Sequence, residues 1–225
     1  MATLRQTFAD IADAIRAKGV TGTFKPIDMA SKIGEIQAGG SQDYGYLTFT
    51  AEEATTLTLK QSGIAPQKLL KSTDGVNWVK WENPSTNGIS LNAGESVYIK
   101  ADEDAMTRTA INEYDHNWFS STGRIACSGS AMSIVKIVAP GNYTYWFNGL
   151  FSGCTTLTTP LELPATVVDY CYYDMFNNCK SLTTAPELQA MDMANYCYRS
   201  MFAGCTSLTT APELPAMAML GSCYS

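Results

Sequence analysis

The sequence predicts an α+β multidomain chain with three parts: an N-terminal helical hairpin, a small antiparallel β-sandwich module and a C-terminal repeat solenoid. Three observations predict it. Leu4, Phe8, Ile11 and Ile15 recur at helical spacing. Between Tyr46 and Ile99, short runs alternate apolar and polar side chains between turn signals. From Leu150 onward the sequence repeats itself. The implied spans are 1–38 for the hairpin, 39–43 for a linker, 44–104 for the β module, 105–149 for a β connector and solenoid cap, and 150–225 for the repeats.

The hairpin comes first. Gly19 follows Lys18 as a helix stop, and Pro26 suits the first turn of a second helix. Met29, Ile33 and Ile36 form that helix's apolar stripe. A segment of this length buries little surface alone. Leu4, Phe8, Ile11, Ile15, Met29 and Ile33 are therefore expected to serve oligomerisation or docking. The linker Ala38-Gly39-Gly40-Ser41 reads as a flexible joint.

The β module follows. Tyr46–Thr50 and Thr56–Lys60 alternate in strand fashion, and Asp74-Gly75 marks a hairpin turn. Ile89 and Leu91 begin another strand, Asn92-Ala93-Gly94 turns it, and Val97–Ile99 follow. Such strands suggest an antiparallel sandwich. Trp78 and Trp81 invite a sugar-stacking reading, but at i and i+3 in a strand they face opposite sides, so at least one belongs to the core. In the connector, Trp118-Phe119 and Ile125–Val138 read as strands, and Tyr143, Tyr145, Trp146 and Phe147 as part of the solenoid's cap.

The repeats carry the strongest signal. Units open at Leu150, Met175 and Met201, and the phrase SLTTAPEL occurs twice, at Ser181–Leu188 and Ser207–Leu214. A fixed period of about 20–29 residues with Leu and Cys at set places marks a leucine-rich-repeat solenoid. Cys154, Cys179 and Cys205, with Leu157, Leu182 and Leu208, then form interior columns. The threonine segments should pair into a narrow parallel sheet, with partly helical segments crossing back. Thr158, Thr183 and Thr209, or their neighbours Thr159, Thr184 and Thr210, would form outward ladders; Tyr172, Tyr198 and Tyr224 align likewise. These form a possible ligand surface; the plainer reading of the threonines is β propensity and solubility.

Composition narrows the function. The net charge is −6, and residues 150–225 hold Lys180 and Arg199 against six acidic side chains. Such a surface argues against nucleic acid. No run of about 20 apolar residues exists, so no membrane insertion is expected. The N-terminus does not read as a signal peptide, since Asp10, Asp13 and Arg16 interrupt its apolar residues. The seven cysteines fall into two repeat series, Cys154/Cys179/Cys205 and Cys171/Cys197/Cys223, with Cys127 apart. Buried free thiols fit this phase better than disulfides. With no C-x-x-C pair and His116 as the single histidine, no metal or cofactor is expected. No nucleophile–base pair or phosphate loop is legible. Asp102, Glu103 and Asp104 read as a surface cluster without a catalytic partner. The chain is accordingly expected not to be an enzyme.

The pattern C-x-x-L-T-T-x-x-E-L, opened by Met-Phe or Leu-Phe, resembles the BspA-like class of leucine-rich repeats found in bacterial surface proteins and in phages of gut bacteria. Trp118–Gly123, reading WFSSTG, looks like the β module that often precedes such repeats. The stretch TFADIADAIRAKGVTG and the later KPIDMASKI are similar to helical segments at the head of phage tail and fibre proteins. The resemblance implies a virion component, a tail fibre or receptor-binding protein. Residues 1–38 would attach to other virion proteins or to copies of the chain. The repeats would face a bacterial surface protein or glycan. A bacterial cell-surface adhesin is the alternative. No catalytic residue carries over. Because no polar cap follows the third repeat, the last coil is expected to continue or to be covered by another chain.

Overall fold

The computed structural model describes residues 45–61, 69–102, 117–134, 147–164, 167–190, 193–214 and 223. The chain divides into two compact units, Met1–Asp43 and Tyr44–Ser225, and all described residues lie in the second. The expected hairpin and its docking residues Leu4, Phe8, Ile11, Ile15, Met29 and Ile33 lie outside the described residues. So does Tyr224.

Nine strands organise the described residues: β1 (Leu47–Ala51), β2 (Thr55–Gln61), β3 (Leu69–Ser72), β4 (Val79–Lys80), β5 (Ile89–Leu91), β6 (Ser96–Ala101), β7 (Asn117–Ser121), β8 (Ile125–Ser128) and β9 (Leu157–Thr159). A 3-10 turn at Ala131–Ile134 follows β8. Six strands form one sheet in the order β4-β3-β6-β1-β8-β9, and three form another in the order β5-β2-β7. All pairings are antiparallel except β8 with β9. Alternation in the sequence sets the faces: Leu47, Phe49 and Ala51 of β1 are buried while Thr48 and Thr50 face outward. Leu57 and Leu59 of β2 and Phe119 of β7 supply the second sheet's inner face. Phe49 and Phe119 meet across the two sheets with ring centroids 4.8 Å apart.

The expected α+β architecture is corrected here. Among the described residues there is no α-helix. The sandwich is not confined to residues 44–104; it takes β7 and β8 from the expected connector and β9 from the first repeat. One hydrophobic core runs through both sheets and the repeats.

The leucine-rich-repeat solenoid is corrected as well. Of the three threonine segments, only Leu157–Thr159 is a strand, and it pairs back to β8 rather than on to the next unit. Among the described residues the next unit reaches it through Ser181 N–H to Thr155 O and through the Thr183 N–H and hydroxyl, both to Thr158 O. Pro160 and Pro186 lack the N–H a longer ladder would need.

The units are joined instead through turns. Tyr170, Tyr172, Asp174, Phe176 and Asn178 each donate an amide to the following unit, to the carbonyls of Asn195, Cys197, Arg199, Met201 and Ala203. The amides between them, of Cys171, Tyr173, Met175, Asn177 and Cys179, donate three residues back within their own unit. Phe147, Gly149, Phe151 and Gly153 bond to the second unit in the same way. Every backbone donor of the segment is thereby satisfied.

This alternation needs a left-handed residue every fourth position. Gly149, Asp174 and Ser200 share one phase, with φ of 62°, 54° and 52°. Gly153, Asn178 and Gly204 share the next, at 76°, 60° and 74°. Gly, Asn and Asp tolerate that region best. Tyr170 and Tyr196 occupy it too, at 58° and 56°, where a bulky side chain is disfavoured. The inter-unit bonds hold them there.

Rings stack along the same axis. Phe151, Phe176 and Phe202 form a column with centroid spacings of 5.6 and 5.8 Å and planes within 8° of parallel. Phe147, Tyr172 and Tyr198 form a second, at 5.8 and 5.4 Å. The first column continues into the sandwich through Phe119, 5.6 Å from Phe151, and Trp81, 6.5 Å from Phe119. The sandwich therefore caps the first unit. Of the expected cap residues Tyr143, Tyr145, Trp146 and Phe147, Phe147 alone lies among the described residues. It is a member of the stack.

Candidate ligand surface

The repeat cysteines take the interior. Cys154 and Cys179 are buried and Cys205 is half-buried, as Leu157 and Leu182 are buried and Leu208 half-buried. All seven cysteines are unpaired. Two of them bridge units: the Cys179 thiol donates to Phe151 O at 3.1 Å and the Cys205 thiol to Phe176 O at 3.0 Å. Burial pushes the thiols of Cys127, Cys171, Cys179, Cys197 and Cys205 upward in pKa. Burial of this kind favours the neutral thiol over the thiolate.

The expected ligand residues divide. Thr183 and Thr209 are exposed, but Thr158 is 2% exposed. Its hydroxyl bonds Glu52 Oε1 at 2.5 Å, which holds the Glu52 carboxyl below its usual range together with Arg124. Thr158 therefore locks the first unit to the β1–β2 corner and offers nothing to a ligand. Tyr172 and Tyr198, expected on the surface, are buried at 0% and 4% exposure. Tyr172 donates its hydroxyl to Pro164 O, and burial raises its pKa. In a ladder whose alternate residues turn in, these tyrosines share the inward phase of Phe147.

A different set faces out. Tyr170, Tyr173 and Tyr196 are half-buried and Arg199 is exposed. The rings of Tyr170 and Tyr196 stack at 4.8 Å and 12°. Tyr173 lies 6.1 Å from Tyr170. The Arg199 guanidinium sits over both Tyr196 and Tyr173, 5.4 and 5.9 Å from their centroids. Asn195 N–H donates to Asp169 Oδ1 beside the strip. The Tyr173/Arg199 position is held by Asn148 in the first unit, whose buried amide oxygen has no hydrogen-bond partner among the described residues. Stacked rings, a propped guanidinium and flanking amide and carboxylate groups make a surface suited to binding. The phrases Tyr170-Cys171-Tyr172 and Tyr196-Cys197-Tyr198 held the signal. Their repetition shows that the two tyrosines of each phrase are inequivalent, but not which one turns out.

Of the two tryptophans, Trp81 is core at 3% exposure and donates its indole N–H to Asn87 O, while Trp78 is half-exposed. Asp102, read as a surface acid, is buried beside Lys80 at 3.7 Å. Glu103 and Asp104 lie outside the described residues. Among the described residues no cluster of three His, Cys, Asp or Glu could hold a metal ion. No helix among them is long and apolar enough to cross a membrane.

Comparison of the chain with protein-family models, with curated proteins and with solved structures finds no match.

Proposed function

We propose that the chain is a non-enzymatic binding component of a phage virion, a tail-fibre or receptor-binding protein whose repeat units present a surface to the bacterial host. The observation that supports this reading best is the register of the turn ladder. It stacks three units so that Tyr170, Tyr173, Tyr196 and Arg199 are held outward on a backbone whose inter-unit amides are bonded. Tyr and Arg are the side chains that most often dominate recognition energy. Residues 1–38 serve attachment to other virion proteins or to copies of the chain, through the apolar residues Leu4, Phe8, Ile11, Ile15, Met29 and Ile33.

Two measurements test it. Mass spectrometry of purified particles should detect the chain, whereas detection only in bacterial envelopes would replace the virion reading with the cell-surface adhesin. The isolated protein should bind intact gut bacteria in flow cytometry, and Arg199→Ala with Tyr173→Ala should remove that binding. Turnover of host glycans by the isolated protein would overturn the non-enzymatic reading.

A further inference from the structure

The outer face of the six-stranded sheet carries a second aromatic cluster, built from residues separate from the repeat strip. Tyr46 just before β1, Tyr98 on β6 and Trp78 at the end of the β3–β4 loop meet there. Tyr46 and Tyr98 make an edge-on contact at 4.7 Å and 61°, and Tyr46 lies 5.7 Å from Trp78 at 49°. The Lys100 ammonium sits 4.1 Å from the centre of the Trp78 ring. Val76, in the loop that carries Trp78, is 77% exposed.

The loop that brings Trp78 here is held rigid by its own polar groups. Asp74 accepts from the backbone of Val76 and Asn77, from the Asn77 amide at 2.7 Å and from the Ser72 hydroxyl at 2.8 Å. The Asn77 contacts, first among these, keep the Asp74 carboxyl well below the usual range. Gly75, at φ +73°, rests against the Tyr46 ring, where a Cβ would come 3.3 Å from its hydroxyl. The site is therefore preorganised.

Three features choose the occupant. The rings are tilted to one another, so they do not form one flat apolar plate. Beyond them the sheet face is a floor of small side chains: Thr48 opposite Tyr98 and Ser128, and Thr50 bonded to Ser96. A protein partner seeking apolar burial would run out of surface there. A sugar ring has an apolar C–H face to lay on an aromatic ring and hydroxyls to share with that floor. Charge then refines the choice. On the face that carries Tyr98, the register places Lys80 of β4 and Lys100 of β6, both opposite Leu70 of β3, in a chain of net charge −6. Lys80 is paired with Asp102, but among the described residues no carboxylate lies within ion-pair distance of Lys100.

We propose that Tyr46, Trp78, Tyr98 and Lys100 form a binding site for a saccharide that bears a carboxylate. The sugar ring lies against Trp78 and the tyrosines, and its carboxylate takes the Lys100 ammonium.

The test uses the full chain and the methyl glycosides of glucuronic acid, galacturonic acid and N-acetylneuraminic acid, with methyl glucoside as the neutral control. Saturation-transfer NMR and tryptophan fluorescence report binding at millimolar sugar. At least one acidic sugar should bind, with its ring protons saturated. Trp78→Ala should abolish the binding. Lys100→Met, at a partly exposed position outside the core, should weaken the acidic sugar about tenfold while leaving the neutral one unchanged. Arg199→Ala should have no effect here, which separates this site from the repeat strip. Failure of all three acidic sugars to bind overturns the proposal. So does undiminished binding by Lys100→Met, which stays decisive if Trp78→Ala does not fold. Equal binding of the neutral control, or a protein ligand on this face that the acidic sugars do not displace, overturns it too.

Discussion

Phe119 of the sandwich and Phe151 of the first repeat stack with centroids 5.6 Å apart and planes 26° from parallel. Next to this contact, Phe119 N–H donates to Leu150 O at 2.8 Å, and β8 pairs with β9. The seam is thus a continuation of the core. Phe151 is fully buried, so Phe151→Ala should cost about 3–5 kcal/mol. Sandwich and repeats should unfold together in one denaturant transition, read by tryptophan fluorescence and by far-ultraviolet dichroism. Two separated transitions would show that the seam does not couple them.

The Cys179 thiol is a second link between units, through its bond to Phe151 O. Cys179→Ala removes that donor and leaves a small void, at a cost of about 1–2 kcal/mol. Cys179→Ser keeps a donor and should recover part of the loss. Equal stability of wild type and the alanine variant in urea would remove the thiol from the account.

The buried thiols also set a pH dependence. Cys127, Cys171 and Cys179 have folded-state pKa values raised by burial. Their stability is fully present below the unfolded thiol value and is lost as pH rises from there toward the folded value. Above about pH 9 each should cost up to about 1.4 kcal/mol per pH unit, because unfolding releases its proton. Melting temperatures between neutral and strongly alkaline pH check this, and Cys171→Ala should flatten the decline. A melting temperature that does not fall would contradict it.

Gly153 isolates the backbone requirement of the turn ladder. Its φ is +76°, and an added Cβ would meet nothing within 4 Å. Gly153→Ala should therefore cost about 1–2 kcal/mol from conformation alone. Gly153→Asn should cost less, since Asn178 occupies the same phase. Gly204→Ala should cost more than Gly153→Ala, because its Cβ would also press on the Asn178 side chain. Thermal denaturation of the four proteins ranks them.

Arg199 is exposed and lies on the tyrosine strip. Arg199→Ala should change folding stability by no more than about 0.5 kcal/mol, as exposed substitutions usually do. It should lower binding to host cells about tenfold or more. A stability loss equal to that of a core variant, with binding intact, would make the arginine a structural strut.

The sequence by itself determined equivalence. The shared phase of Cys154, Cys179 and Cys205 marked one structural position, and the alternation in Leu47–Ala51 marked which residues share a face. Periodicity carries that information because neighbouring units must present like groups to one another. It does not carry direction. Whether Tyr170 or Tyr172 turns outward depends on a left-handed residue every fourth position, several of them not glycine. Nor does it say which segment bonds the units. The threonine run has β propensity, but its prolines remove donors, while the turn segment leaves every second amide free to reach the next unit. Only the tertiary structure decided that the sandwich caps the stack. That depends on Phe119 meeting Phe151 and on β8 pairing with β9, contacts between residues some thirty positions apart. Local pattern cannot report them, because their gain lies in burial shared between distant segments.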